Sequence, residues 1–153
     1  MAYFERVLRA ANLRLCSMSQ GRFTLLRKTG EDDGRRRTGL DLEVLDSYTG
    51  KTRPASGLSG GESFMASLSL ALGLSDVVQQ SAGGVHLDAM FIDEGFGSLD
   101  ADVLDLAVNT LAEMTGGGRM IGIISHVAEL RERIDKQVRV EKTCIGSRLR
   151  TLG

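Results

Sequence analysis

The chain has 153 residues, 42% hydrophobic and 25% charged, with one Pro, no Trp and a formal net charge of -1. A chain of this length buries about 70% of its unfolded surface and can build one core, which excludes a disordered linker, while 19 basic against 20 acidic residues exclude recognition of nucleic acid or an anionic membrane through global charge. One excess remains, 19 Gly in 153 residues against a usual share of about 7%, and it points to tight turns or to backbone exposed to a ligand.

Residues 2–15 place Phe4, Val7, Leu8 and Ala11 at helical spacing, with Glu5 and Arg9 four apart on the other side, which predicts an amphipathic helix that starts without a cap. Glu5, Arg6 and Arg9 stand where a secretory signal needs an apolar run, and no stretch reaches the roughly 18 apolar residues of a membrane span. Cys16 and Cys144 have no paired spacing, so neither a disulfide framework nor a zinc site is indicated and a reducing cytoplasm fits. Residues 22–28 and 40–45 read as two strands, joined through the polar residues 30–39 into an antiparallel hairpin over residues 22–47. Arg35, Arg36 and Arg37 in that loop read as a phosphate contact or as a solvated loop tip.

Residues 62–80 are apolar on more than one face, the pattern of a central helix buried among other elements. Ala89, Met90, Phe91 and Ile92 form a short apolar run that ends in Asp93 and Glu94, as in a buried strand delivering carboxylates at its carboxyl end. Leu104, Ala107, Val108, Leu111 and Met114 make one helical stripe, stopped by Gly116, Gly117 and Gly118. Residues 120–124 read as a second buried strand, followed by Ser125, His126 and a short helix through Ile134. Residues 138–140 and 147–151 read as closing strands.

Three groups of residues carry candidate chemistry. Leu58, Ser59, Gly60, Gly61 and Glu62 precede the long apolar helix. Two glycines let backbone approach a ligand, and amides at a helix N-terminus favour an anion such as phosphate, although a Ser N-cap with a Gly turn has the same pattern. Asp93 suits Mg²⁺ and Glu94 suits a base for an attacking water; two strand-end acids exposed in a turn read the same way. Asp100 is an N-cap for the next helix. His126 could donate to a γ-phosphate or hold the attacking water, or serve structure alone.

The order of these groups is the informative feature, with 34 positions from Ser59 to Asp93 and 33 from Asp93 to His126. In this order they resemble the signature motif, Walker B, D-loop and His switch in the second lobe of an ABC-type ATPase. Gly95, where transporter ATPases usually have Pro, and Glu62, where they usually have Gln, point to the DNA-repair and chromosome-maintenance ATPases. Residues 3–8, 11–12, 21–23, 58–65, 91–100 and 122–127 look like the C-terminal lobe of the SbcC-like ATPases, and the resemblance runs through nearly the whole chain.

The resemblance implies an α/β fold of mixed sheet flanked by helices, the C-terminal lobe of an ABC-type, SMC-like ATPase head. Residues 1–15 would end a coiled-coil arm, residues 22–47 form the hairpin, and residues 58–153 carry the four motifs. It implies ATP and Mg²⁺, with Asp93 on the metal, Glu94 as general base and His126 sensing the γ-phosphate. Ser59, Gly60 and Gly61, in one motif with Glu62, would meet the γ-phosphate in trans, and Asp100 would lie at the dimer interface. The implied partners are an N-terminal SbcC lobe carrying the P-loop, a second SbcC head, an SbcD-like nuclease subunit and double-stranded DNA, in the cytoplasm at the nucleoid and with no membrane. The implied output is ATP-dependent gating of exonuclease and endonuclease activity in DNA repair and recombination.

Gly50, Lys51 and Thr52 imitate a P-loop, but the pattern G-x-x-x-x-G-K-[ST] needs Gly at the position of Leu45, so the isolated chain is expected to be inactive. A coiled-coil heptad region and a Cys-x-x-Cys zinc hook, implied for the full protein, are also outside this sequence. Two other readings stand beside this one. A transporter nucleotide-binding lobe is disfavoured by Gly95 and by the hairpin, and a non-enzymatic head-dimerisation module by the joint presence of Asp93, Glu94 and His126.

Overall fold

A computed structural model describes residues 2–28, 41–81, 87–116 and 118–153. Helix α1 (Ala2–Met18) buries Val7, Leu8, Ala11, Leu15 and Met18. The last two continue the same stripe, which carries the helix three residues past its expected end. Gln20 and Gly21, with φ of 51° and 78°, then reverse the chain, and the Gly21 amide donates to the Cys16 carbonyl (2.8 Å).

Strands β1 (Phe23–Arg27), β2 (Leu42–Asp46) and β3 (Lys51–Pro54) form an antiparallel sheet in that order. The register pairs Phe23 with Asp46 and Val44 with Arg53. The expected hairpin thus gains a third strand. Its residues alternate no apolar groups and end in Pro54, so the pattern conceals it; an edge position tolerates both features. Asn12 fastens α1 to β1, its amide donating to the Leu25 carbonyl (2.9 Å) and accepting from the Leu25 amide (2.8 Å). Arg35, Arg36 and Arg37 lie outside the described residues.

Helix α2 (Gly60–Ser81) is the central helix that its apolar pattern predicts. It crosses α1 at Gly73, where a Cβ would stand 2.6 Å from the Ala11 nitrogen. Leu72 and Ala11 are fully buried, and Leu104, Ala107 and Leu111 of α3 (Ala101–Thr115) join the same core. Leu130 of α4 (Ala128–Arg133) closes it.

Strands β4 (Ala89–Asp93) and β5 (Met120–Ile124) are parallel, with α3 as the crossover, and pair from Ala89↔Met120 to Asp93↔Ile124. They are not buried strands as expected. Met90, Ile92, Ile121 and Ile123 pack on the core, but Phe91 is 66%, Met120 57% and Ile124 54% exposed. A parallel pair needs cover on both faces, and among the described residues helices supply it on one.

Strands β6 (Gln137–Thr143) and β7 (Gly146–Leu152) make a separate antiparallel hairpin, also with exposed apolar residues, among them Val138, Val140 and Leu149. Among the described residues the α/β fold therefore distributes its parallel and antiparallel pairings over three sheets. No helix among them is long and apolar enough to cross a membrane.

Candidate functional site: two clusters joined by one turn

The first cluster is the N-terminus of α2. The Ser59 carbonyl accepts the first helical bond, from Ser63 (2.8 Å), and its hydroxyl accepts from the Glu62 amide (3.4 Å). The Glu62 carboxylate accepts the Ser59 amide in return (2.9 Å). This reciprocal pair is a capping box. Its other carboxylate oxygen meets the Arg53 guanidinium at 2.9 Å. Burial pushes the Glu62 carboxyl up, but the Ser59 amide and Arg53 outweigh it and hold the group below its ordinary value.

Gly60 and Gly61 make room for a neighbouring segment of this chain. A Cβ on Gly61 would come within 3.0 Å of the Ser98 carbonyl, and one on Gly60 would stand 3.4 Å from the Ser98 Cβ. The 98–100 turn presses on this helix start, and Asp100 caps α3 by accepting from the Val103 amide (2.8 Å). Ser59, Gly60, Gly61, Glu62 and Asp100 line one groove of about 740 Å³.

The second cluster lies at the carboxyl end of the parallel pair. Asp93 ends β4, and the Glu94 amide adds one more ladder bond to the Ile124 carbonyl (2.8 Å). Glu94 then adopts φ of 59° and Gly95 98°. A left-handed non-glycine residue is strained by about 1–2 kcal/mol, and such strain concentrates at functional sites. The His126 Nδ1 lies 3.2 Å and 3.0 Å from the two Glu94 carboxylate oxygens. The contact is a hydrogen bond in the tautomer that carries a proton on Nδ1, since an ionised carboxylate only accepts. Both side chains are largely exposed, 80% and 51%, and a contact in water is easily surrendered.

One short turn joins the clusters. A Cβ on Gly95 would fall 2.4 Å from the ring of Phe64, in the first turns of α2, and the Phe64 and fully buried Phe96 rings pack with centroids 4.8 Å apart. Proline, locked near φ of -65°, could not take the backbone of Gly95, which gives that position a physical reason.

Sequence reasoning missed the wall of the groove opposite α2. The Arg22 guanidinium bonds the buried Asp46 carboxylate (2.9 Å) and lies over the rings of Phe23 (4.7 Å) and Tyr48 (5.3 Å). The hydrogen bonds from Arg22 hold the Asp46 carboxyl below its ordinary value against its burial. No sequence pattern places these residues beside Ser59. The capping box did have a signal, Ser and Glu three apart before an apolar run.

This arrangement, a capped Ser-Gly-Gly helix start facing a turn that leaves a strand-end acid pair, is built on the fold of solved SMC head domains. The fold superimposes with a TM-score of 0.74 and 16% identity on a protein solved in work on the ATP-driven dimerization and DNA-stimulated activation of SMC ATPases, covering 100% of this chain and 87% of that one. The Pyrococcus yayanosii Smc head domain with a coiled coil and joint gives 0.72 and 18% identity, over 98% of this chain and 27% of that one.

The chain belongs to the SbcC/RAD50-like family, whose Walker B motif description matches residues 32–113. It is similar to the SbcC component of the SbcCD nuclease of Vibrio cholerae, 58% identical over 97% of this chain and 15% of the relative, and to that of Treponema pallidum, 51% identical over 96% and 14%. The chain thus spans about 15% of the length of these relatives.

Proposed function

We propose that this chain is the C-terminal ATPase lobe of an SbcC-like subunit and that its two clusters serve two different nucleotides. The observation that carries the reading is the turn over residues 93–100, which holds Glu94 beside His126 at one end and sets Asp100 in the groove of Ser59 at the other. The Glu94 carboxylate takes the proton of the attacking water. His126 turns its proton to the γ-phosphate and so releases Glu94 for that task. Ser59, Gly60 and Gly61, with Glu62 holding the turn, meet the γ-phosphate bound to a second head, and Asp100 lies at the interface between heads.

Asp93 is a hard oxygen donor on a rigid strand end. That fits Mg²⁺, which takes one or two carboxylates beside substrate phosphates and keeps several waters, and no group of three or more His, Cys, Asp and Glu forms a protein cage among the described residues. Asp93 would hold the ion, which neutralises charge on the phosphate oxygens.

The full assembly is read as this lobe, a P-loop lobe, a second head and an SbcD-like nuclease acting on double-stranded DNA in the cytoplasm, at the nucleoid. In it α1 ends the coiled-coil arm and ATP turnover gates DNA cleavage. The sequence has no G-x-x-x-x-G-K-[ST] match to cradle the α and β phosphates, so the lone chain is read as inactive. In a head completed with a P-loop lobe, Glu94→Gln is expected to retain ATP, lose turnover by about 100-fold or more and accumulate as the closed dimer. Unchanged turnover would reject Glu94 as base.

A further inference from the structure

Arg53 sits on the edge strand β3, outside every recognised motif, yet its guanidinium has two partners, one in the turn that precedes α2 and one in its first turn. One nitrogen meets the Glu62 carboxylate at 2.9 Å, and another donates to the Gly57 carbonyl at 2.9 Å. Its face lies 5.9 Å from the centroid of the buried Phe23 ring. Glu62 spends its second oxygen on the Ser59 amide, so guanidinium, carboxylate and amide form one chain of charge-assisted contacts ending on the backbone of Ser59.

The other end of that chain is rigid. The ladder of β2 and β3 fixes the Arg53 backbone opposite Val44, and Asn12 ties β1 of the same sheet to α1. We infer that Arg53 is a positioning residue that sets the Ser59 turn through Glu62, so that α1, the antiparallel sheet and the α2 start move as one body. The side chain touches no nucleotide itself. It fixes where the Ser59 hydroxyl stands when a second head arrives. The inference rests on the reading of Ser59 given above.

The test is a cycle of Arg53→Met, Ser59→Ala and the double variant in the complete head, read as ATP-dependent head pairing, with ATP affinity of the P-loop lobe as control. Arg53→Met is expected to weaken pairing about fivefold at unchanged ATP affinity, and Arg53→Lys, which keeps the charge but not the fork, about twofold. The double variant is expected to pair no worse than Ser59→Ala alone. Arg53→Lys carries the test if Arg53→Met does not fold. Fully additive effects, or wild-type pairing by the Arg53 variants, would overturn the inference and leave the role of Ser59 standing. Wild-type pairing by Ser59→Ala would overturn that role and the inference with it.

Discussion

Around Ser59 the polar groups find partners within the chain: hydroxyl, amide and carbonyl of Ser59, both oxygens of Glu62, and the guanidiniums of Arg22 and Arg53. At the other end Asp93, Glu94 and His126 stand at the rim of a two-stranded sheet whose outer face, with Phe91 and Ile124, is open. The first end is preorganised, and its shape is set by this chain's own core. The second has two carboxylates and an imidazole at the strand ends, and among the described residues only one face of the pair carries the layer that parallel strands require. The difference suits the proposed sharing of this lobe between two composite sites, in which the first end would dock in trans and the second would be completed in cis.

The largest expected effect tests the finished end. Ser59→Arg puts a guanidinium into the groove, and head pairing driven by ATP should be abolished while nucleotide binding to the P-loop lobe persists; normal dimerisation would remove the trans assignment. The next contrasts the two ends directly by denaturant unfolding of the lone chain. Leu72→Ala should cost about 2–5 kcal/mol, whereas Phe91→Ser should stay within about 0.5 kcal/mol and become costly only once a second lobe covers the sheet. A large loss from Phe91→Ser in the lone chain would show that its outer face is already covered.

Gly95→Ala tests the joint between the ends. At φ of 98° and with Phe64 in the way, the change should cost about 1–2 kcal/mol for the backbone alone and lower the melting temperature accordingly. The smallest effect is electrostatic. Asp46 and Glu62 are both held below their ordinary values, so their ion pairs contribute above the ordinary carboxylate range near pH 4 and are lost as pH falls through and below it. Asp46→Asn should therefore be less stable than the parent at neutral pH, and their melting curves should converge on acidification.

Much of this fold is legible from periodicity, because α1, α2 and α3 each bury a continuous stripe whose partners lie within the chain. β3 is hidden because an edge strand of Lys51, Thr52, Arg53 and Pro54 has no buried face to enforce alternation. The apolar runs at β4 and β5 read correctly as strands but misleadingly as buried, since an apolar run does not say whether a covering layer stands on each face. Within the candidate site, the strand-end positions of Asp93, Glu94 and His126 are legible because each ends or follows an apolar strand. The packing role of Gly61 against Ser98, the left-handed turn at Glu94 and the Arg22–Asp46–Tyr48 wall depend on contacts between distant segments that no local pattern encodes.

The measurement that most directly tests the account is calorimetric titration of ATP into the 153-residue chain alone and into the same chain joined to a P-loop lobe. The account predicts no micromolar binding by the lone chain and saturable binding after joining. Micromolar ATP binding by the lone chain would contradict it.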